Sequence, residues 1–146
     1  MDLKFDAKKL SRVARQNDLK FVILHGSYAA GKTRPDSDVD IAVLAHQKLP
    51  FDKYMSLQGK LGEIFEDYQN HPERDLDLKD AYGVDPFFRY EIVRGGKLLY
   101  GNPAAYEEFK AGALRAYEDA APLFALEHAL IGKYQKHLNQ LALQYA

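Results

Sequence analysis

The sequence predicts an α/β (α+β) domain: a small mixed sheet flanked by helices, with a helical C-terminal segment. Three observations carry this reading. Residues 20–25 (KFVILH) form a continuous apolar run closed by Gly26, the pattern of a strand buried on both faces. Residues 38–45 (DVDIAVLA) and 74–79 (RDLDLK) alternate apolar and acidic side chains, the period of a strand. Between and after them, apolar residues recur three and four apart, the period of a helix. A length of 146 residues, 47% hydrophobic and 28% charged, suits one domain over residues 1–146.

In chain order, Leu10, Val13 and Ala14 share one face of a predicted helix over residues 5–17, behind Asp6 as N-cap. After the first strand, GSYAAGKTRPDS reads as a long polar loop leading to the second. Phe51, Tyr54, Leu57, Leu61, Ile64 and Tyr68 then give a helix, with Met55 and Phe65 widening its buried face. The third strand follows NHPER. Asp85-Pro86 is a cap followed by a proline at the first helical position, and the helix it opens should stop at Gly95-Gly96. A short KLLY strand comes next. Asn102-Pro103 repeats the start signal for a helix reaching Tyr145, with a break or kink expected at Pro122.

Composition excludes several classes of function. Twenty Lys plus Arg against 21 Asp plus Glu leave a formal charge of −1, without the basic footprint of a non-specific nucleic-acid binder. The absence of Cys removes disulfides, thiolate metal sites and a thiol nucleophile. No apolar run approaches the roughly 18 to 20 residues of a membrane span, and the start MDLKFDAKKL lacks a signal-peptide core. A cytoplasmic protein with no membrane and no direct nucleic-acid partner is expected.

The chemistry concentrates in three carboxylates on strands. Asp38 and Asp40, two residues apart, point the same way, and Asp77 projects from another strand between apolar neighbours; Asp75 is its same-face competitor. A DxD pair alone describes a solvated strand face. Here Gly26 and Ser27 end the buried strand just before the loop returning to the two aspartates. Gly26 allows close approach of a phosphate to the backbone, and Ser27 can donate to its oxygens. Lys32 and Ser37, in the same loop, are further candidate phosphate contacts. Clustered carboxylates suit hard divalent cations that keep positions open for phosphate oxygens.

Other motifs fail on physical grounds. GSYAAGKT at residues 26–33 satisfies G-x-x-x-x-G-K-T, but Pro35 and the strand at Asp38 leave no room for the helix a phosphate-binding loop must open. Asp36, Asp38 and Asp40 imitate a calcium loop, yet Ile41 and Gln47 stand where Gly and Glu belong. The five His residues show no ligand spacing, so no zinc is expected. Ser27 lacks the G-x-S-x-G elbow of a hydrolase nucleophile.

Gly26-Ser27, ten intervening residues, then Asp38-x-Asp40 resembles the signature of the polymerase-beta nucleotidyltransferase superfamily. The stretch HGSYAAGKTRPDSDVDIAVLA is similar to its minimal single-domain branch, and together with FFRYEIVRGGKLLYGN it resembles MntA-type antitoxins, partners of HEPN ribonuclease toxins. The resemblance covers a catalytic core of about residues 5–101, followed by a helical segment of about 102–146. It implies a palm-like fold and an adenylyltransferase moving AMP from Mg-ATP to a tyrosine of a HEPN toxin. It also implies two Mg²⁺ ions held by Asp38, Asp40 and Asp77, with ATP as substrate. The alternatives are transfer of AMP to a small molecule, as in aminoglycoside-modifying relatives, and an antitoxin acting by binding alone. The aromatics and leucines after Tyr100 read mainly as core, with part of the last helix left to bind the partner or a second copy, as a hetero- or homo-oligomer.

Overall fold

The computed structural model describes residues 3–32, 38–65 and 76–145. Five helices and four strands follow one another among them: α1 (Ala7–Gln16), β1 (Leu19–His25), α2 (Gly26–Ala29), β2 (Val39–Ala45), α3 (Phe51–Ile64), β3 (Leu76–Asp80), α4 (Pro86–Arg94), β4 (Lys97–Tyr100) and α5 (Pro103–Gln144). The strands form one mixed sheet in the order β3-β2-β1-β4. β1 is antiparallel to both β2 and β4, whereas β2 and β3 run parallel, with α3 in the connection between them.

Local chemistry sets the helix starts. The Asp6 carboxylate accepts from the backbone N–H of Lys8 at 3.1 Å and Lys9 at 3.2 Å. Asp85 accepts from Phe88 N–H at 2.9 Å ahead of Pro86, and Asn102 from Ala105 N–H at 3.0 Å ahead of Pro103. Each bond satisfies an amide that the first helical turn leaves without a carbonyl. Gly95 ends α4. Gly96 then passes so close to Ile23 and the Ile92 carbonyl that a side chain would collide with them.

Helices cover both faces of the sheet. On one, Leu10 and Ala14 of α1 and Leu57, Leu61 and Ile64 of α3 pack on Val22, Leu24, Val39, Ile41, Val43, Leu76 and Leu78. On the other, Ile92 and Val93 of α4 and Tyr106 and Ala113 of α5 cover Phe21, Ile23 and Ala42. The ends of β1, β2 and β3 nearest Asp40 lie on this second face.

Four sequence expectations change. The stretch after His25 is not all loop: Gly26–Ala29 makes one helical turn, closed by the Ala30 N–H on the Gly26 carbonyl at 3.1 Å. Helix α1 begins at Ala7, because Phe5 instead pairs as an isolated bridge with Phe65. Phe51 and Met55 do not join the buried face of α3 but are exposed, because Tyr54 is the residue of that turn that reaches the sheet, its hydroxyl donating to the Leu78 carbonyl. Finally, α5 passes through Pro122 without a break. Tyr117 stacks on Tyr90 before the proline, and Phe124 meets Phe87 edge-on after it, so both flanks are held against α4. The end of the α3 helix expected up to Tyr68, and the strand start expected at Arg74, lie outside the described residues.

Candidate active site

The site forms where β1 ends and β2 and β3 begin. His25 and Asp40 are register partners across the antiparallel β1–β2 pair, and Asp40 and Asp77 across the parallel β2–β3 pair. Because side chains alternate along a strand, His25, Asp40 and Asp77 share the sheet face that carries Ile23 and Ala42 further along. Asp38 lies exposed one residue ahead of β2, two residues from Asp40.

Gly26 turns the chain immediately after His25. Its φ of +72° is in the left-handed region, and a Cβ on it would land on the Asp40 carboxylate. Only glycine therefore lets the turn and the acid adjoin. Ser27 is half-buried in the first turn of α2, and its carbonyl accepts the Lys32 N–H at 3.0 Å, which folds the loop back on the turn. The Lys32 side chain is exposed. Ser37, the remaining expected phosphate contact, and Asp75, the competitor of Asp77, lie outside the described residues.

Electrostatics mark Asp40. Burial, then the charges of Asp77 and Asp38, then a hydrogen bond with Asp77, push its carboxyl up from 3.8 to about 6, against a smaller opposing effect of Lys79. Two neighbouring carboxyls that share a hydrogen bond resist simultaneous ionisation. Lys79, two residues along β3 from Asp77 and on the same face, holds its ammonium 3.5 Å from the Asp77 carboxylate, with both side chains about half exposed. Sequence reading missed this cation; the alternation of RDLDLKD placed it beside Asp77, but a lysine on a polar strand face reads as solvated.

His25 is buried, its ring edge-on to Phe88 with centroids 6.4 Å apart. Burial lowers its pKa, and the opposing pull of Asp77 is the smaller influence. Among the described residues its Nε2 makes no hydrogen bond. Arg89 fixes the other rim, its Nη2 donating to the Ala81 carbonyl at 2.8 Å and the Tyr82 carbonyl at 3.1 Å. That bond ties the start of α4 to the end of β3.

Among the described residues no three His, Asp or Glu side chains form a ready-made metal cage. The donor chemistry nevertheless fits a hard divalent cation. Asp38, Asp40 and Asp77 are hard oxygen donors, and after burial the charges of Asp77 and Asp38 are what raise the Asp40 carboxyl, against the smaller effect of Lys79. Among the described residues no helix is long and apolar enough to cross a membrane.

The chain is similar to known proteins in sequence and fold. Residues 8–104 match the family described as polymerase beta, nucleotidyltransferase. The protein adenylyltransferase MntA of Shewanella oneidensis is 28% identical over 117 residues, 79% of each chain. A crystal structure of a toxin-antitoxin with AMP-PNP superposes with a TM-score of 0.67 at 28% identity, over 89% of this chain and 98% of the other. A tri-AMPylated Shewanella oneidensis HEPN toxin in complex with MNT antitoxin gives 0.61 at 27% identity, over 88% and 95%. With the glycine turn against one strand acid and a second acid in register beside it, the chain belongs to the polymerase beta nucleotidyltransferase family.

Proposed function

We propose that this protein is an antitoxin-type adenylyltransferase that moves AMP from Mg-ATP to a tyrosine hydroxyl of a HEPN ribonuclease toxin, releasing pyrophosphate and silencing the toxin in the cytoplasm. The observation that carries the chemistry is the contact of the Gly26 turn with Asp40 and its register partner Asp77. The acceptor follows from likeness to antitoxins solved with their toxins, one toxin being AMPylated, over nearly their whole length. The catalytic core is about residues 5–101, with about 102–146 as its helical extension.

In this reading the backbone at Gly26 approaches the nucleotide phosphates, unhindered by a side chain. The Ser27 hydroxyl donates to a phosphate oxygen, with Lys32 and Ser37 as further contacts from the loop. Asp38, Asp40 and Asp77 would hold Mg²⁺, which when bound would neutralise phosphate charge and favour the ionised form of an attacking hydroxyl. A phenol with a pKa near 10 is a poor nucleophile at neutral pH, so its proton needs an acceptor in reach. Asp77, half exposed on the edge strand, takes it. The phenolic oxygen forms a bond to the α-phosphorus, the bond to the pyrophosphate oxygen breaks in line, and the electron pair leaves with pyrophosphate.

The test incubates purified protein with Mg²⁺, each nucleoside triphosphate and a HEPN partner, read by intact mass. ATP alone adds AMP to the partner, on tyrosine by peptide mapping. Asp38→Ala with Asp40→Ala slows transfer at least about a thousandfold, the scale of removing a transition-state charge stabiliser. Neutralised toxin without transfer from any nucleotide gives the case to binding alone. Transfer to an added aminoglycoside instead of the partner gives it to the small-molecule reading.

A further inference from the structure

Lys79 puts a positive charge among the acids. Asp77 and Lys79 are two residues apart on β3, so both side chains stand on the sheet face that carries Asp40 and His25. Residues so spaced on a strand are about 7 Å apart. An ammonium 3.5 Å from the Asp77 carboxylate therefore means that the two side chains lean together along the strand. The lysine, with the longer stem, covers most of the gap. Its register partner on β2 is Ala42, too small to crowd that stem.

The charge of Lys79 also reaches beyond its ion-pair partner. Burial leads both the rise of the Asp40 carboxyl and the lowering of His25, and Lys79 enters each, opposing the first and adding to the second. With both side chains 45% exposed, the Lys79–Asp77 pair adds little to folding. Its place in the site gives it a different consequence.

We propose that Lys79 is a resident counter-ion of the acid site: its ammonium competes with a divalent cation for Asp77 and swings off the carboxylate when the cation binds. The inference rests on the reading of Asp38, Asp40 and Asp77 as the ligands of that cation. A carboxylate shared with an ammonium is a poorer ligand, and the ammonium repels a divalent ion close by. The half-exposed stem has water to swing into. Lysine suits this exchange better than arginine, whose planar fork grips a carboxylate through two parallel bonds. Lys79 is thus a positioning residue, which steadies the crowded acids and sets how readily they take up a cation before a nucleotide arrives.

Mn²⁺ alone, titrated into the nucleotide-free full chain and followed by electron paramagnetic resonance, tests this. Lys79→Met is expected to bind Mn²⁺ about tenfold more tightly than the wild type. Lys79→Arg, which keeps the charge, shows no such gain, and Lys60→Met, which removes an exposed charge from α3, leaves the affinity unchanged. In metal-free buffer Lys79→Met melts below the wild type, and saturating Mn²⁺ narrows the gap because the variant gains more from the ion. A purely structural contact leaves the same gap with and without Mn²⁺, and that result overturns the inference. So does unchanged or weaker Mn²⁺ binding by a Lys79→Met protein with wild-type circular dichroism, or an equal gain in Lys79→Arg. Asp38→Ala with Asp40→Ala separates the two readings. If that double variant loses the Mn²⁺ that the wild type and Lys79→Met bind equally, the ligands stand and the counter-ion role falls. Mn²⁺ bound no better by the wild type or Lys79→Met than by the double variant overturns both.

Discussion

Gly26 and Asp40 are mutually dependent: the turn exists where the acid needs it because one residue has no side chain. Gly26→Ala meets both a positive φ and the Asp40 carboxylate, so it should destabilise the fold by about 2 kcal/mol and abolish transfer. Urea unfolding and the intact-mass assay check both. Asp40 itself stores an electrostatic penalty. Its carboxyl holds a proton in the folded protein up to about pH 6, whereas the unfolded chain releases it near 3.8. Unfolding therefore releases a proton in that window, and the contribution of Asp40 to stability falls as pH rises through it and stays lost above. Asp77, Asp38 and Lys79 are the charged groups facing it. In metal-free buffer, Asp40→Asn is expected to raise the melting temperature at pH 7.5 and leave it nearly unchanged at pH 4, as measured by calorimetry. Gly26, Ser27, Asp38 and Asp40 were legible because a fixed spacing joins them. Lys79 and His25 were not, since a lysine on an alternating strand and a histidine at the end of an apolar run each have an ordinary packing explanation.

At the scale of elements, capping residues were the most legible feature: Asp6, Asp85 and Asn102 each bond a first-turn amide where the sequence places a helix start. Periodicity was less decisive. It identified α3, but it did not tell that Phe51 and Met55 lie on its exposed side while Tyr54, between them, reaches β3. The proline rule also overreached, because local chemistry at Pro122 is overruled by aromatic contacts of Tyr117 and Phe124 with α4. That contact pattern divides α5. Its first half belongs to the domain, and its second half touches no core residue. A chain ending after Phe124 is therefore expected to keep the melting temperature of the full chain within about 3 °C. Differential scanning fluorimetry of the shortened and full chains checks this.

For the whole molecule, the class of fold followed from the alternation of strands and helices, while strand order did not. No residue pattern states that β1 lies between β2 and β4, or that the pair bearing Asp40 and Asp77 is the parallel one. That arrangement is set by how the helices cover two faces of one short sheet. The parallel pair has a further consequence. Gly26 and Asp40 are brought together by β1 and β2, neighbours in sequence and antiparallel, whereas Asp77 arrives only after the chain has crossed the sheet through α3. Contacts that span more chain carry a larger closure cost and form later. The second acid thus joins after the turn and the first acid have met, and β1 with β4, with still more chain between them, closes later. A chain that has emerged only as far as α3 has the Gly26 turn and Asp40 without Asp77.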